Sequence, residues 1–252
     1  MLVAGSYGKM GAAVLCAKAC ERTGAGLTTI HLPKCGYEIM QRSLPEAMVS
    51  VDSNENFISE NIHLEKFSAV GIGPGMGTEK QTGNILKLLI QNSALPMVMD
   101  ADALNLLAEN KTWLSFLPKE SILTPHPKEF DRLAGAHSNT FDRWKSQKEF
   151  SIKHGVYVVL KGAHTSVTCP DGTTYFNSTG NPGMAKGGSG DALTGIITAL
   201  LAQGYSAEDT AILGVYIHGL AGDIAARRKS EEAMLASDLI DSLGDAFLQL
   251  KS

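Results

Sequence analysis

From Ser68 to Leu160 the chain repeats one arrangement: a short aliphatic run, then a glycine, aspartate, histidine or lysine, then a segment suited to a helix. "SAVGIGPGMG" leads into "ILKLLIQ", "PMVMDADALNLLA" and "ESILTPHPKEFDRLAG" each pass from strand to helix, and "VYVVLKG" closes the series. Aliphatic runs without polar alternation suit strands buried on both faces, and strands separated by helices pair in parallel. The pattern predicts an α/β fold with a mainly parallel central sheet covered by helices on both faces. Ligands of such sheets lie beyond the carboxyl ends of the strands. Gly73, Gly75, Asp100, Asp102, His126 and Lys161 all fall there.

The flanking regions extend the same plan. A helix is expected over 11–25, ended by Gly24, followed by a strand in "GLTTIHLP". Residues 34–64 are polar and irregular, with room for one helix and the short strand "AMVSV". "HTSVTCPDGTTYFN" alternates about Asp171-Gly172 and predicts a β-hairpin. Three helices follow, in "GDALTGIITALLAQ", "DTAILGVYIHGLAGDIAARR" and "ASDLIDSLGDAFLQ". No repeat or low-complexity linker divides the chain, so residues 1–252 are expected to form one domain.

Composition removes several function classes. The 252 residues are 44 % hydrophobic and 19 % charged, enough for a substantial core. A net charge of -4 argues against a duplex nucleic-acid surface, and no apolar run approaches a membrane span. The first residues lack the pattern of a secretory signal, and Cys16, Cys20, Cys35 and Cys169 form no CxxC pair, which points to a reducing, cytoplasmic setting. Cys16, Cys20 and His31 would need a fourth ligand to hold zinc, so small core residues are the simpler expectation for the two cysteines. The apolar faces of "AILGVYIHGLAG" and the last helix are read as core, with a homo-oligomer contact as the alternative.

Four stretches carry candidate chemistry. In "GMAKGGSGDALTG", Gly183 to Gly195, glycines crowd the start of a helix. Each costs roughly 0.5 to 1 kcal/mol relative to alanine inside regular structure. Converging backbone N–H groups, together with the unpaired first amides and positive dipole end of the helix, would cradle a phosphate or oxyanion. The stretch is not a Walker A loop, since no GxxxxGKS/T pattern is present. A plain turn explains the glycines in part, and Asp191 is an unremarkable acid for a first turn. A base that takes a proton from a hydroxyl attacking phosphorus accounts for both features together.

The other three stretches admit two readings each. "GIGPGMG" fails the GxGxxG register at Met76 or Thr78, leaving close approach of backbone to ligand, or a tight turn. In "MDADALN", Asp100 and Asp102 stand two apart on one side of an extended segment. They would hold a sugar hydroxyl or water-bound magnesium, with capping of a helix from Ala103 preferred for Asp102. His126, restricted between Pro125 and Pro127, suits a ligand contact or a satisfied partial-core site. "LKGAHT", Lys161 to Thr165, offers a lysine to a nucleotide phosphate, or an ordinary exposed lysine at a strand end.

In this order, "GIGPGMG", "VMDADALN", "LTPHPKEFDRLAG", "VVLKGAHTSV" and "GNPGMAKGGSGDALTGIITALLAQG" resemble the NAD(P)H-hydrate dehydratases, a carbohydrate-kinase-like family of the ribokinase superfamily. The resemblance covers nearly the whole chain. It implies a ribokinase-like three-layer α/β/α sandwich. It also implies nucleotide-dependent dehydration of the S-form of NADHX or NADPHX to NADH or NADPH, with ADP or ATP giving AMP or ADP and phosphate. Magnesium would be held chiefly by the nucleotide phosphates and water. Carried over by motif, Asp191 is the catalytic base and faces the substrate, with Ala12, Gly75 and His126. Lys161, Gly162, Ala163, His164 and Thr165 line the nucleotide, with Lys186, Gly187, Gly188, Ser189 and Gly190.

Family members carry an HKG-x-x-G segment ahead of the point where this sequence starts. That departure leaves open a longer protein, with an NAD(P)HX epimerase domain preceding this one. A kinase of a vitamin-precursor alcohol, a thiazole or pyrimidine, would use the same cradle and aspartate; "TPHPKEF" with "MDADALN" favours the dehydratase. A nucleotide-binding regulator without turnover is disfavoured by the intact Gly188-Ser189-Gly190-Asp191 run.

Overall fold

A computed structural model describes residues 1–251. Nine strands are present: β1 (Leu2–Val3), β2 (Thr29–Leu32), β3 (Met48–Val51), β4 (Val70–Ile72), β5 (Met97–Met99), β6 (Ile122–Leu123), β7 (Tyr157–Leu160), β8 (Ser166–Thr168) and β9 (Thr174–Phe176). They form one sheet in the order β3-β2-β1-β4-β5-β6-β7-β8-β9. Pairing is parallel from β3 through β7 and antiparallel at β7–β8 and β8–β9. The last pair is the expected hairpin, with Gly172 at φ 88° and the Thr173 amide donating to Asp171 Oδ1 at 2.8 Å.

Side-chain alternation gives the inner strands two buried faces, whereas the edge strands β3 and β9 are partly exposed. Met97 and Met99 of β5, and Val158 and Leu160 of β7, point into one cluster. That cluster also holds residues of α3 (Lys80–Asn92), α4 (Ala101–Glu109), α5 (Pro127–Ala134) and α6 (Thr140–His154). Val98, Tyr157 and Val159 point the other way, against α7 (Ser189–Ala202) and α8 (Ala207–Lys229). On that same side α1 (Met10–Arg22) packs on α7 so closely that a Cβ at Gly195 would overlap the Cys16 carbonyl oxygen. Two helical layers thus enclose the sheet, as expected. The full burial of aliphatic side chains on both faces, each contributing roughly 1.5 to 3 kcal/mol, holds the layers together.

Several segments depart from the sequence reading. Helix α6 carried no clear apolar period and was not anticipated. Its core contact joins one aromatic ring, Phe150, to polar groups: buried Gln147 donates to the Val158 and Ser166 carbonyls at 2.9 and 3.1 Å. Strand β1 is too short for periodicity to reveal, yet it lies inside the sheet, between β2 and β4. The final helix breaks at Ser242 into α9 (Ala236–Asp241) and α10 (Leu243–Leu250). In the polar region, α2 (Tyr37–Ser43) and β3 correspond to the expected helix and strand. There buried Asp52 organises the following loop by accepting the amides of Asn54, Ser59 and Glu60. Cys16 and Cys20 are buried core residues, while His31 bonds Ser50 and Asp52.

Candidate active site

The strands β1, β4, β5, β6 and β7 run in the same direction, so the segments after them meet at one sheet edge. Two glycine-rich loops interlock there. The Gly5 amide donates to the Pro74 carbonyl at 2.9 Å, and Ser6 Oγ donates to the Gly75 carbonyl at 2.8 Å. Gly73 sits at φ 128°, and a Cβ on it would overlap the Asp100 carbonyl oxygen. Gly75, at φ 61°, has no room for a side chain, since a Cβ would stand 2.8 Å from the Lys9 carbonyl oxygen and 3.0 Å from the Ala12 methyl. Ala12 and Gly75 are therefore brought together, and the glycines serve contact between two stretches of backbone.

The next segment corrects the expectation for the aspartates. Asp100, not Asp102, occupies the N-cap position of α4, and neither side chain caps the helix. The two also point apart. Ala101 between them adopts φ 48°, an uncommon conformation for a residue with a side chain. Asp102 Oδ2 accepts the Gly77 amide at 2.9 Å and pairs with Lys9 Nζ at 3.2 Å. Asp100, 1 % exposed, accepts Lys161 Nζ on Oδ1 at 2.7 Å and Thr194 Oγ1 on Oδ2 at 2.9 Å.

Opposite this pair begins α7. Gly188 precedes it at φ 93°, where a Cβ would press on the Leu15 methyl at 2.5 Å. The first-turn amides of an α-helix have no carbonyl within the helix to bond, and here they follow directly on Gly187 and Gly188. A Cβ at Gly187 meets nothing within 4 Å, so the loop is open on that side. Asp191 lies within this first turn. Burial is the main force pushing its carboxyl up to about 6; the Asp100 charge adds to it, and Lys161 opposes it. A carboxyl with its proton affinity raised toward neutrality has the chemistry a general base needs.

His126 caps α5: its Nδ1 accepts the Lys128 and Glu129 amides at 3.1 and 3.3 Å, while Glu129 Oε2 accepts the His126 amide at 2.8 Å. Its Nε2 stands 3.5 Å from Glu129 Oε1, and the side chain is half-exposed. Burial, reinforced by Lys161 and Arg132 against the pull of Glu129, lowers its pKa. Gly162, Ala163 and His164 form the exposed β7–β8 turn, closed by the Gly162 amide donating to Thr165 Oγ1 at 3.3 Å. Lys186 turns elsewhere: its ammonium donates to the carbonyls of Glu231, Glu232 and Met234, tying the cradle loop to the segment before α9. A phosphate contact by Lys186 would require these bonds to open.

Three participants escaped the sequence reading. Glu129 stands three residues after His126, the spacing of a capping box. Thr194 is a buried hydroxyl of α7, as is Thr198 one turn later. His218, from α8, donates from Nε2 to the Ser189 carbonyl at 2.9 Å beneath the cradle, and burial pushes its imidazole down to about 4. The only signal for it was a histidine inside an apolar helical run.

Comparison with known proteins agrees with this arrangement. A family model described as NAD(P)H-hydrate dehydratase matches residues 1–244. The ADP-dependent (S)-NAD(P)H-hydrate dehydratase of Neisseria meningitidis is 35 % identical over 249 residues, covering 95 % of this chain and 79 % of that protein. The bifunctional NAD(P)H-hydrate repair enzyme of Moorella thermoacetica is 40 % identical over 253 residues, covering 96 % of this chain and 48 % of its own length. The chain thus spans about half the length of such bifunctional relatives. Among solved structures, the ADP/ATP-dependent NAD(P)H-hydrate dehydratase of Bacillus subtilis, co-crystallised with ATP/Mg2+, superposes with a TM-score of 0.82 at 28 % identity, covering 98 % and 88 % of the two chains. A ribokinase-like superfamily protein of Enterococcus faecalis gives 0.84 at 28 % identity, covering 98 % and 86 %. With its parallel sheet, its glycine cradle and the match across nearly its whole length, this chain belongs to the NAD(P)H-hydrate dehydratase family and has the ribokinase-like fold.

Proposed function

We propose that this chain restores NADH or NADPH from the S-form of NADHX or NADPHX, using ADP or ATP as phosphoryl donor. The observation that carries the reading is Asp191, a carboxyl raised to about 6 in the first turn of the helix that the glycine cradle opens. In the proposed reaction the amides of Gly187, Gly188 and Gly190, with Ser189, hold the terminal phosphate of the nucleotide. Asp191 takes the proton from the C6 hydroxyl as its oxygen attacks phosphorus, and the bond from phosphorus to AMP or ADP breaks. Phosphate then departs with the C6–O electron pair. Loss of the C5 proton restores the C5=C6 double bond, so water has left as phosphate and two protons. Hydroxide is a poor leaving group, and phosphorylation removes that obstacle.

The remaining assignments rest on family resemblance and position. Ala12 and Gly75 form the wall on the substrate side, with the Nε2 edge of His126 turned to the hydrate. Lys161 to Thr165 border the nucleotide. Among the described residues no group of three or more His, Cys, Asp and Glu side chains is arranged to hold a metal ion. That donor set fits magnesium carried by nucleotide phosphates and water, where it would screen the phosphate charge. Among the described residues no helix is long and apolar enough to cross a membrane. Free cysteines in the core accord with the reducing, cytoplasmic setting included in this proposal. The same holds for a preceding epimerase domain, given the length of the bifunctional relatives.

The test is an assay with enzymatically prepared NADHX and NADPHX, each with ADP and with ATP, following recovery of reduced-nicotinamide absorbance and release of orthophosphate. Both signals should appear in equal amounts. A stable phosphorylated product without orthophosphate would instead support the kinase of a vitamin-precursor alcohol.

A further inference from the structure

Bordering the nucleotide does not by itself account for the pair Asp100–Lys161, since each partner is turned toward the other. Asp100 is 1 % exposed, and both its oxygens are engaged at 2.7 and 2.9 Å. Thr194 Oγ1 divides its proton between Asp100 Oδ2 and, at 3.2 Å, the carbonyl of Gly190, one residue before Asp191. The pair is thereby fastened to the first turn of α7. Gly190 permits the approach: a Cβ there would stand 3.3 Å from Lys161 Nζ and 3.4 Å from Asp100 Oδ2. The backbone at Ala101, at φ 48°, turns Asp100 toward α7 while Asp102 faces Lys9. Such local strain, on the order of 1 to 3 kcal/mol, persists where surrounding contacts enforce it.

We propose that Asp100 and Lys161 are positioning residues for Asp191, one carboxylate and one ammonium fixed beside it by Thr194 and acting on its proton affinity with opposite sign. The proposal rests on the reading of Asp191 as the base. The charges facing Asp191 are Asp100 and Asp102 from the β5–α4 junction and Lys161 from the end of β7. The Cys16 thiol reaches it from α1, and burial keeps that thiol protonated. Around the pair itself stand Glu129, His126 and Arg132 of the α5 region and His218 of α8. Asp100 makes the Asp191 proton harder to lose, and Lys161 makes it easier. Together they keep the acceptor from becoming either too weak a base or one protonated at working pH.

Opposite signs make the idea separable from simple structural support. The midpoint of Asp191 can be read without turnover, by carbon NMR of the full chain labelled at aspartate carboxyls, with Asp191→Asn identifying the signal. Asp100→Asn should move the midpoint down and Lys161→Met should move it up, each on the order of one pH unit. The acid limb of kcat/KM for NADHX should follow, on the order of tenfold in each direction at a fixed pH on that limb. Lys161→Arg keeps the charge and should return the midpoint toward wild type. If Asp100→Asn does not fold, Lys161→Met decides alone. Unmoved midpoints, or movement of both variants in the same direction, would overturn the proposal. Opposed midpoints in proteins that turn over no hydrate would support it and overturn the dehydratase reading instead.

Discussion

Two glycine-rich corners lie at the same edge of the sheet and use glycine for different ends. In the loops after β1 and β4, Gly73 and Gly75 allow one backbone stretch to lie against another, and the space a Cβ would need is filled by carbonyls or methyls. In the loop before α7, Gly187 faces open space, and the helix it introduces carries a carboxyl held at about 6. The first corner supplies shape and little charge; the second supplies charge on an open cradle. The comparison teaches that glycine density alone does not identify a phosphate site. The two corners differ in what the glycine is clear of and in which titratable group stands beside it, and on that difference rests the proposal that the second holds phosphate.

The largest expected effect strikes the charged corner alone. Asp191→Ala should lower turnover of the hydrate by about 10^2 to 10^4, the usual contribution of a positioned base, while adenine nucleotide binding measured by calorimetry persists. A variant retaining wild-type turnover would remove the distinction between the corners. Next come the glycines. Gly73→Ala forces a methyl onto the Asp100 carbonyl and should cost about 3 to 5 kcal/mol in denaturant unfolding. Gly187→Ala has room and should cost less than about 1 kcal/mol, showing its effect in the affinity for nucleotide. Equal losses of stability would mean that both loops are merely structural.

The sequence displayed these corners unequally. Aliphatic runs ending in special residues revealed the parallel sheet and the site edge, because strands buried on both faces have a composition that stands out without any partner being known. The start of α7 was legible for the same reason: Gly188 and Asp191 signal locally. The pairing of Asp100 with Lys161 and Thr194 was not, since it joins positions 61 and 94 residues apart and depends on the backbone turn at Ala101. Asp102 looked like a cap because caps are commonly acidic; in the structure its carboxylate is drawn to the Gly77 amide and Lys9. Helix α6 hid because its buried residues are Gln147, Phe150 and Ser151, one aromatic ring among polar groups rather than an apolar stripe.

A third effect sets stability against activity within the charged corner. Folding raises the Asp191 pKa to about 6 from an ordinary value near 4, so the folded chain binds the extra proton over that window. The stabilisation is present below the unfolded pKa and is lost as pH rises through about 6, by about 3 kcal/mol. Asp191→Asn should therefore unfold at higher temperature than wild type at pH 8 while losing turnover, and the gap should narrow towards pH 4. Melting curves that remain parallel across this range would place the carboxylate in solvent and undo the claim that burial poises it.

The smallest effect concerns His126, which belongs to neither corner cleanly: its Nδ1 is a helix cap, its Nε2 stands 3.5 Å from Glu129 Oε1, and the side chain is half-exposed. Loss of the cap in His126→Ala should cost about 1 kcal/mol in thermal unfolding. His126→Asn keeps a capping oxygen at the same position and should recover that stability. If the imidazole also touches the hydrate, the asparagine variant will be stable but will bind NADHX more weakly than wild type, with affinity for adenine nucleotide unchanged. Recovery of both properties would assign His126 to the scaffold, and the shape-bearing corner would then meet its ligand through Ala12 and Gly75 without a polar side chain from α5.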